Sequence, residues 1–204
     1  KEKYKPWAPA YTSFIQETIN KAKKYKNNRQ YNNEINLDFQ DFFPSINLGW
    51  LSNTIKNKLS NKYTSEEDTE TLNRILELLM YFEIESAETY NDRELSIYYG
   101  QPTTFDDSTT YYTKGLPQGL PHTYFFANIA MAEIEPYIKK EFDGDADLYV
   151  DDAVIFCNCD QYAFKTSIDR LNSLFNILDI NTSDYSEYRD LNEFQKKHFA
   201  TGIQ

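Results

Sequence analysis

The stretch Leu148–Tyr149–Val150–Asp151–Asp152–Ala153–Val154–Ile155–Phe156 decides how the chain is read. Two adjacent carboxylates separate two short runs of β-branched, aromatic and aliphatic residues. Such runs favour strands, and two short strands joined by a tight turn make a hairpin with Asp151 and Asp152 at its tip. Side-by-side anions repel, so they do not stabilise a fold by themselves. A divalent cation removes the repulsion, and Mg²⁺ takes carboxylate oxygens. An acidic turn is the plain alternative, because Asp is a common turn residue.

A second stretch separates the two readings. In Asn36–Leu37–Asp38–Phe39–Gln40–Asp41–Phe42–Phe43–Pro44–Ser45–Ile46, a carboxylate again sits at a strand end. Ile35, Leu37 and Phe39 alternate with Asn36 and Asp38, so Asp38 faces away from the apolar side. Two strands that each end in Asp can hold one or two metal ions between them. Two-metal phosphoryl transfer has that need: one ion activates the attacking oxygen and the other stabilises the leaving one.

These residues resemble the reverse transcriptase family. Asp38 with Phe42–Phe43–Pro44–Ser45–Ile46 is similar to motif A, and Tyr149–Val150–Asp151–Asp152 to motif C. Between them, Gly115–Leu116–Pro117–Gln118–Gly119–Leu120–Pro121, followed by Ala127–Asn128, is similar to motif B. Three motifs in order are far more specific than any one. The resemblance spans roughly residues 30–180 and points to prokaryotic members: retron, group II intron, and defence-associated or abortive-infection types.

The resemblance implies a set of roles. Asp38, Asp151 and Asp152 are the catalytic and metal-binding residues, with the Phe39 main-chain carbonyl as a further ligand. Two Mg²⁺ ions are the implied cofactor, with Mn²⁺ as an alternative. Phe43 faces the sugar of the incoming nucleotide and selects deoxynucleotides, the alternative being a core ring beside Phe42. Gln118 and Gly119 form the loop against nucleotide and template, the alternative being a tight turn; glycine allows close backbone approach. Asp41 either lies near the triphosphate or caps a turn. The implied partners are dNTPs and nucleic acid, RNA or DNA. Self-association through aromatic surfaces outside residues 35–155 is also expected, since aromatic anchors favour interfaces.

Two features depart from the family pattern. The small residues usual after motif B are replaced by Leu120, His122 and Tyr124. The lysine of motif D is missing near Asn181–Thr182–Ser183–Asp184, and Lys196 and Lys197 come late. Both departures favour the defence-associated and abortive-infection types, some of which prime on a protein side chain or work without a template.

Charge bounds the interpretation. The net charge is −11, whereas proteins that grip nucleic acid usually carry a basic footprint. The distribution is uneven: residues 1–62 hold eleven Lys and Arg against five Asp and Glu, and residues 63–204 hold ten against twenty-seven. The basic cluster Lys21, Lys23, Lys24, Lys26 and Arg29 is either a solvated helix face or a phosphate contact. No apolar run reaches membrane-spanning length, and the first residues lack a signal-peptide core. Cys157 and Cys159 read as reduced thiols of a cytoplasmic protein, since Cys-x-Cys is neither a relaxed disulfide nor a zinc signature.

Periodicity places the remaining elements. A helix runs from about Pro9 to Asn27–Asn28. Asn47 caps a second, with Leu48, Leu51, Ile55 and Leu59 on one face. Ser65 and Asp68 resemble a capping box before a core stripe of Leu72, Ile75, Leu76 and Leu79. Residues 84–99 read as a hairpin, and 101–113 as a polar loop. A helix from His122 turns Phe125, Phe126, Ile129 and Ile134 inward. Asp160 caps a helix lined by Phe164, Ile168, Leu171, Leu174 and Phe175, and Leu191, Phe194 and Phe199 suggest a last helix.

The expected architecture is α+β: a polymerase palm, with helices on one face of an antiparallel sheet and the other face open. Fingers and thumb are incomplete or missing. The division is a helical, fingers-proximal segment over 1–33, a palm with motifs A, B and C over 34–180, and a polar, helical C-terminal segment over 181–204.

The leading function is a reverse-transcriptase-type DNA polymerase using dNTPs, serving anti-phage defence. A retron or intron enzyme would need basic surface this chain lacks. A catalytically idle palm acting as an oligomer scaffold has no reason to keep three adjacent anions. A calcium-binding domain would need a spaced Asp/Asn/Gly loop that is absent.

Overall fold

The computed structural model describes residues 7–62, 65–81, 102–104, 110–176, 180–183 and 186–191. In chain order the elements are α1 (Trp7–Asn28), β1 (Asn33–Leu37), β2 (Phe39–Gln40), α2 (Phe42–Ser45), α3 (Leu48–Leu59) and α4 (Glu66–Met80). Then follow β3 (Pro102–Thr104), β4 (Thr110–Tyr112), α5 (Pro121–Phe142), β5 (Asp145–Tyr149), β6 (Asp152–Cys157), α6 (Gln161–Phe175), β7 (Asn181–Thr182) and β8 (Glu187–Asp190). The fold is α+β. Among these residues no helix is long and apolar enough to cross a membrane.

The chain forms two compact units. The first comprises residues 1–40, 131–174 and 181–204, and the second residues 41–130 and 175–180. The first unit is built on an antiparallel four-stranded sheet in the order β5-β6-β1-β8. β1 pairs with β6 through Ile35↔Ile155 and Leu37↔Ala153, and β5 with β6 through Ala146↔Ile155 and Tyr149↔Asp152. Alternation puts Ile35, Leu37, Ala146, Ala153 and Ile155 on one face, and all are buried. Met131, Ile134, Ile138 and Phe142 of α5 and Leu171 of α6 are buried in the same unit.

The opposite face carries Asp147, Tyr149, Asp152, Val154 and Phe156, and it is not bare. α1 lies against it. Tyr25 and Ala22 form an apolar cluster with Phe156 and Leu191, and the Tyr25 ring lies 5.3 Å from that of Phe156. Lys21 Nζ donates to Asp147 Oδ1 at 2.5 Å and pairs with Asp145 Oδ2 at 2.9 Å. The Tyr25 hydroxyl donates to Asp145 Oδ2 at 2.6 Å. Burial and this bond push the Tyr25 hydroxyl up to about 12. Burial works against the Asp145 carboxylate, but the bonds from Tyr25 and Lys21 hold it below its ordinary value. The expectation of a fully open face is therefore corrected. Lys21 is engaged in an ion pair and not free for phosphate.

In the second unit, local capping agrees with the sequence. Asn47 Oδ1 accepts from Trp50 N–H at 2.9 Å, and Ser65 Oγ from Asp68 N–H at 3.0 Å. Of the expected α4 stripe only Leu76 is buried, whereas Ile75 and Leu79 are exposed; Met80, outside the stripe, is buried at the helix end. Phe126 and Ile134 of α5 turn inward as expected, while Phe125 is exposed.

Other expectations change. Residues 101–113 hold the paired strands β3 and β4 instead of a continuous loop. The polar residues after Asn181 supply β7, paired with β2, and β8, an edge strand of the main sheet. Polar sequence suits an edge strand, whose outer side faces water. The hairpin over 84–99, Phe194 and Phe199 lie outside the described residues. Cys157 and Cys159 are free thiols with their sulfurs 3.2 Å apart.

Gly144 shows how tightly the turn into β5 is built. A Cβ there would sit 2.3 Å from the Phe156 main-chain oxygen and 3.1 Å from Cys157 Cβ. Backbone cannot yield as a flexible side-chain tip can. Gly144→Ala should therefore destabilise the protein by about 1–3 kcal/mol, the usual range for overpacking. Chemical denaturation of the two proteins checks this, and an unchanged midpoint would refute the close approach.

Candidate active site

The carboxylates are positioned by register. The β1–β6 pairing ends at Leu37↔Ala153, and Asp38 and Asp152, the next residue beyond this pair on each strand, line one cavity. Tyr149↔Asp152 closes the β5–β6 hairpin, leaving Val150 and Asp151 as its two-residue loop.

That loop is strained. Val150 has φ 56°, in the left-handed region. Two-residue hairpin loops need positive φ at their first position, and they normally place Gly, Asn or Asp there. A β-branched residue in that region is costly and persists only where the surroundings over-determine it. Here the paired strands on either side hold it, and Asp151 is aimed by them.

The three carboxylates feel one another. Partial burial raises the Asp151 carboxyl above its ordinary value; its own main-chain N–H opposes this, and the Asp38 charge adds to it. Asp152 is raised by partial desolvation, then by Asp151, then by Asp38. The Tyr11 hydroxyl is raised too, by burial first and then by Asp152 and Tyr149. The rings of Tyr11 and Phe14 lie 5.3 and 5.5 Å from that of Tyr149. A cavity of about 270 Å³ opens beside Asp38 and Asp152, with Tyr11, Phe14 and Arg189 among its walls. Arg189 pairs there with Glu34 at 3.8 Å and with Glu187.

The donor set suits a hard divalent ion. Among the described residues no three His, Cys, Asp or Glu side chains form a closed metal cage. Mg²⁺ usually takes one or two carboxylates and completes its shell with water and substrate phosphates. Crowded, partly buried carboxylates at a strand end fit that mode of binding.

The other expected residues fall as follows. Phe39 is buried and pairs with Thr182 across β2 and β7. In the second unit, Phe43 is 5% exposed, with its ring 5.8 Å from Phe42 and 5.6 Å from Tyr124, edge-on to both. Gln118 and Gly119 are exposed, and Gly119 has φ 96°. Their loop is fixed by Gly115 N–H donating to Ile46 O and Leu116 N–H to Phe43 O, both at 2.8 Å. Asp41 precedes α2 with φ 45° and makes no side-chain cap. Sequence reading missed Tyr11 beside Asp152 and Ser183 and Ser186 beside Asp38. Tyr11 lies in the helix read from Pro9, where the sequence assigns it no chemistry, and no local signal marks the serines.

Charge crowding gives a pH dependence. The folded pKa values of Asp151 and Asp152 lie above the ordinary 3.8. Between that value and the raised ones the folded state holds more protons than the unfolded, so stability falls as pH rises through the window. The penalty is then fully present at neutral pH. Asp152→Asn should raise the melting temperature of the metal-free protein at pH 7, and the gap should close at about pH 3, below the ordinary value. Added Mg²⁺ should stabilise the parent more than the variant. Thermal unfolding in chelator at both pH values checks this; the same gap at both would mean no crowding.

No curated protein matches the chain. Among solved structures it is similar to apo telomerase from Candida tropicalis truncated from its C-terminal domain, at 12% identity and a TM-score of 0.49. That match covers 88% of this chain and 35% of the telomerase. Apo telomerase from the same organism matches at 12% identity and a TM-score of 0.49, covering 86% of this chain and 32% of its own. The chain thus spans about a third of the length of either. The family model described as reverse transcriptase (RNA-dependent DNA polymerase) matches residues 2–181, and the chain belongs to that family.

Proposed function

We propose that this chain is the catalytic palm of an RNA-directed DNA polymerase that adds nucleotides from dNTPs to a hydroxyl end. The observation that carries the reading is the convergence of Asp38, at the end of β1, with Asp151 and Asp152 on the β5–β6 hairpin. In this reading Asp38 and Asp151 would hold the Mg²⁺ ions, with Asp152 as an auxiliary ligand and the Phe39 carbonyl as a further oxygen. When bound, the ions would lower the pKa of the attacking hydroxyl and neutralise charge on the leaving pyrophosphate. The chain's own part is to aim the carboxylates. The paired strands around Val150 do so for Asp151, and the β1–β6 register for Asp38.

Phe43, Gln118 and Gly119 take their roles from the motifs they occupy. Phe43 faces the sugar, and Gln118 with the exposed Gly119 backbone lies against nucleotide and template. The crowding after motif B is supported by the Phe43–Tyr124 ring contact, since Tyr124 stands where small residues are usual. This departure, and the lack of a lysine in the described part of 181–190, favour a defence-associated or abortive-infection type.

Two experiments test the reading. Asp151→Asn in the full-length protein should abolish dNTP incorporation, assayed on denaturing gels with and without added RNA, while the melting temperature holds or rises. Incorporation at the parent rate would remove Asp151 from catalysis, and an unfolded variant would make its role structural.

Phe43→Ala separates sugar selection from packing. As a gate, its removal should admit ribonucleotides and shift the dNTP to rNTP ratio of kcat/KM by about 1–3 kcal/mol, tenfold per about 1.4 kcal/mol. As a core ring only, its loss should cost about 3–5 kcal/mol of stability and leave the ratio unchanged. The buried, edge-packed ring makes some loss of stability expected in either case, so the ratio decides.

A further inference from the structure

We infer that Ser186 is a positioning residue for Asp38, the metal-binding carboxylate of the proposed site, on which reading the inference rests. Asp38 stands where the sheet lets go of β1. Pairing with β6 ends at Leu37↔Ala153, and pairing with β8 ends at Asn36↔Glu187. The main-chain groups of Asp38 therefore leave the ladder on both sides, yet its side chain must be held to a fraction of an ångström for metal work.

The segment between β7 and β8 supplies the missing partners. Asp38 N–H donates to Ser186 Oγ at 3.2 Å, and the same hydroxyl donates to the Asp38 carbonyl at 3.3 Å. One hydroxyl thus brackets both peptide groups of Asp38, which needs a group that donates and accepts at once. Ser183 N–H donates to the Asp38 carbonyl at 2.8 Å, and Ser186 N–H to the Ser183 carbonyl at 3.1 Å, so the two serines that hold Asp38 are tied to each other.

The next residue is held by the same segment. Phe39 pairs with Thr182, whose N–H and hydroxyl both donate to Asn172 Oδ1 at 2.8 Å. Asn172 lies on α6. The stretch that lacks a family lysine thus holds the strand that carries Asp38 and the Phe39 carbonyl. Fixing the peptide planes on both sides of Asp38 fixes the direction of its Cα–Cβ bond, and hence where the carboxylate points. Groups that orient metal ligands are commonly worth about 10–100-fold in metal affinity or activity when removed.

The test uses the full-length protein with Mn²⁺ as the probe ion, its binding followed by loss of the free-ion electron paramagnetic resonance signal. Dissociation constants, incorporation kinetics and melting temperatures are measured for Ser186→Ala, Ser186→Thr, Ser186→Cys and Asp38→Asn. Ser186→Ala should weaken Mn²⁺ binding about tenfold and lower kcat with little change in the KM for dNTP. Ser186→Thr, which keeps the hydroxyl, should restore both. Ser186→Cys, a weaker donor of similar size, should fall between and keeps the test open should the alanine variant fail to fold. Parent-like Mn²⁺ affinity in the alanine and cysteine variants would overturn the inference, as would a lowered melting temperature with affinity unchanged. Asp38→Asn should abolish both binding and incorporation; parent activity in that variant would instead overturn the reading of the site.

Discussion

The register between β1 and β6 is the constraint on which the rest depends. Ile35 faces Ile155 and Leu37 faces Ala153, all four nearly excluded from water. A slip of one residue would turn this apolar set to the other face, so burial enforces the alignment. The same alignment brings Asp38 and Asp152 to one cavity and Asp151 to the adjoining tip. The hydrophobic effect on one face thus fixes the electrostatics at the sheet's end. No local preference of the three aspartates is needed, and their mutual repulsion opposes the arrangement. Core burial outweighs that repulsion because it is spread over many contacts, whereas the anions stand at a partly solvated edge.

Two further devices refine what register begins. Val150 is held in a conformation it would not choose, so the hairpin spends stability to aim Asp151. Asp38 lies past the last β1 rung on both sides, and Ser183 and Ser186 take over its main-chain groups. Both sit where regular pairing stops, since a site needs side chains that the pleat alone would not present.

α1 gives the sheet's second face a character that composition conceals. Its anchor is mixed: Ala22 and Tyr25 on Phe156, and Lys21 between Asp145 and Asp147. Part of the acidity of the C-terminal two-thirds is therefore neutralised from the basic N-terminal segment. Net charge could not reveal this, because the ion pair links residues far apart in the chain. The N-terminal part of the helix ends its run beside Tyr149, so the aromatic pair Tyr11–Phe14 stands at the carboxylates.

The sequence by itself determined the elements whose signal is local. Alternation marked β1, β-branched and aromatic runs marked β5 and β6, side-chain oxygens marked the starts of α3, α4 and α6, and motifs A and C marked Asp38, Asp151 and Asp152. Each rests on neighbours a few residues apart, which is why it could be read. Tertiary structure alone decided what depends on distant partners. The polar residues Asn181–Thr182 and Glu187–Asp190 became strands by pairing with β2 and β1, and backbone hydrogen bonding carries little side-chain signature. The α4 stripe, periodic in sequence, buried only Leu76 because periodicity gives a face without saying what covers it. Ser186 became a partner of Asp38 across 148 positions of chain. A serine has no preference that could announce such a contact, because its value there lies in one hydroxyl meeting two peptide groups that only the folded sheet leaves exposed.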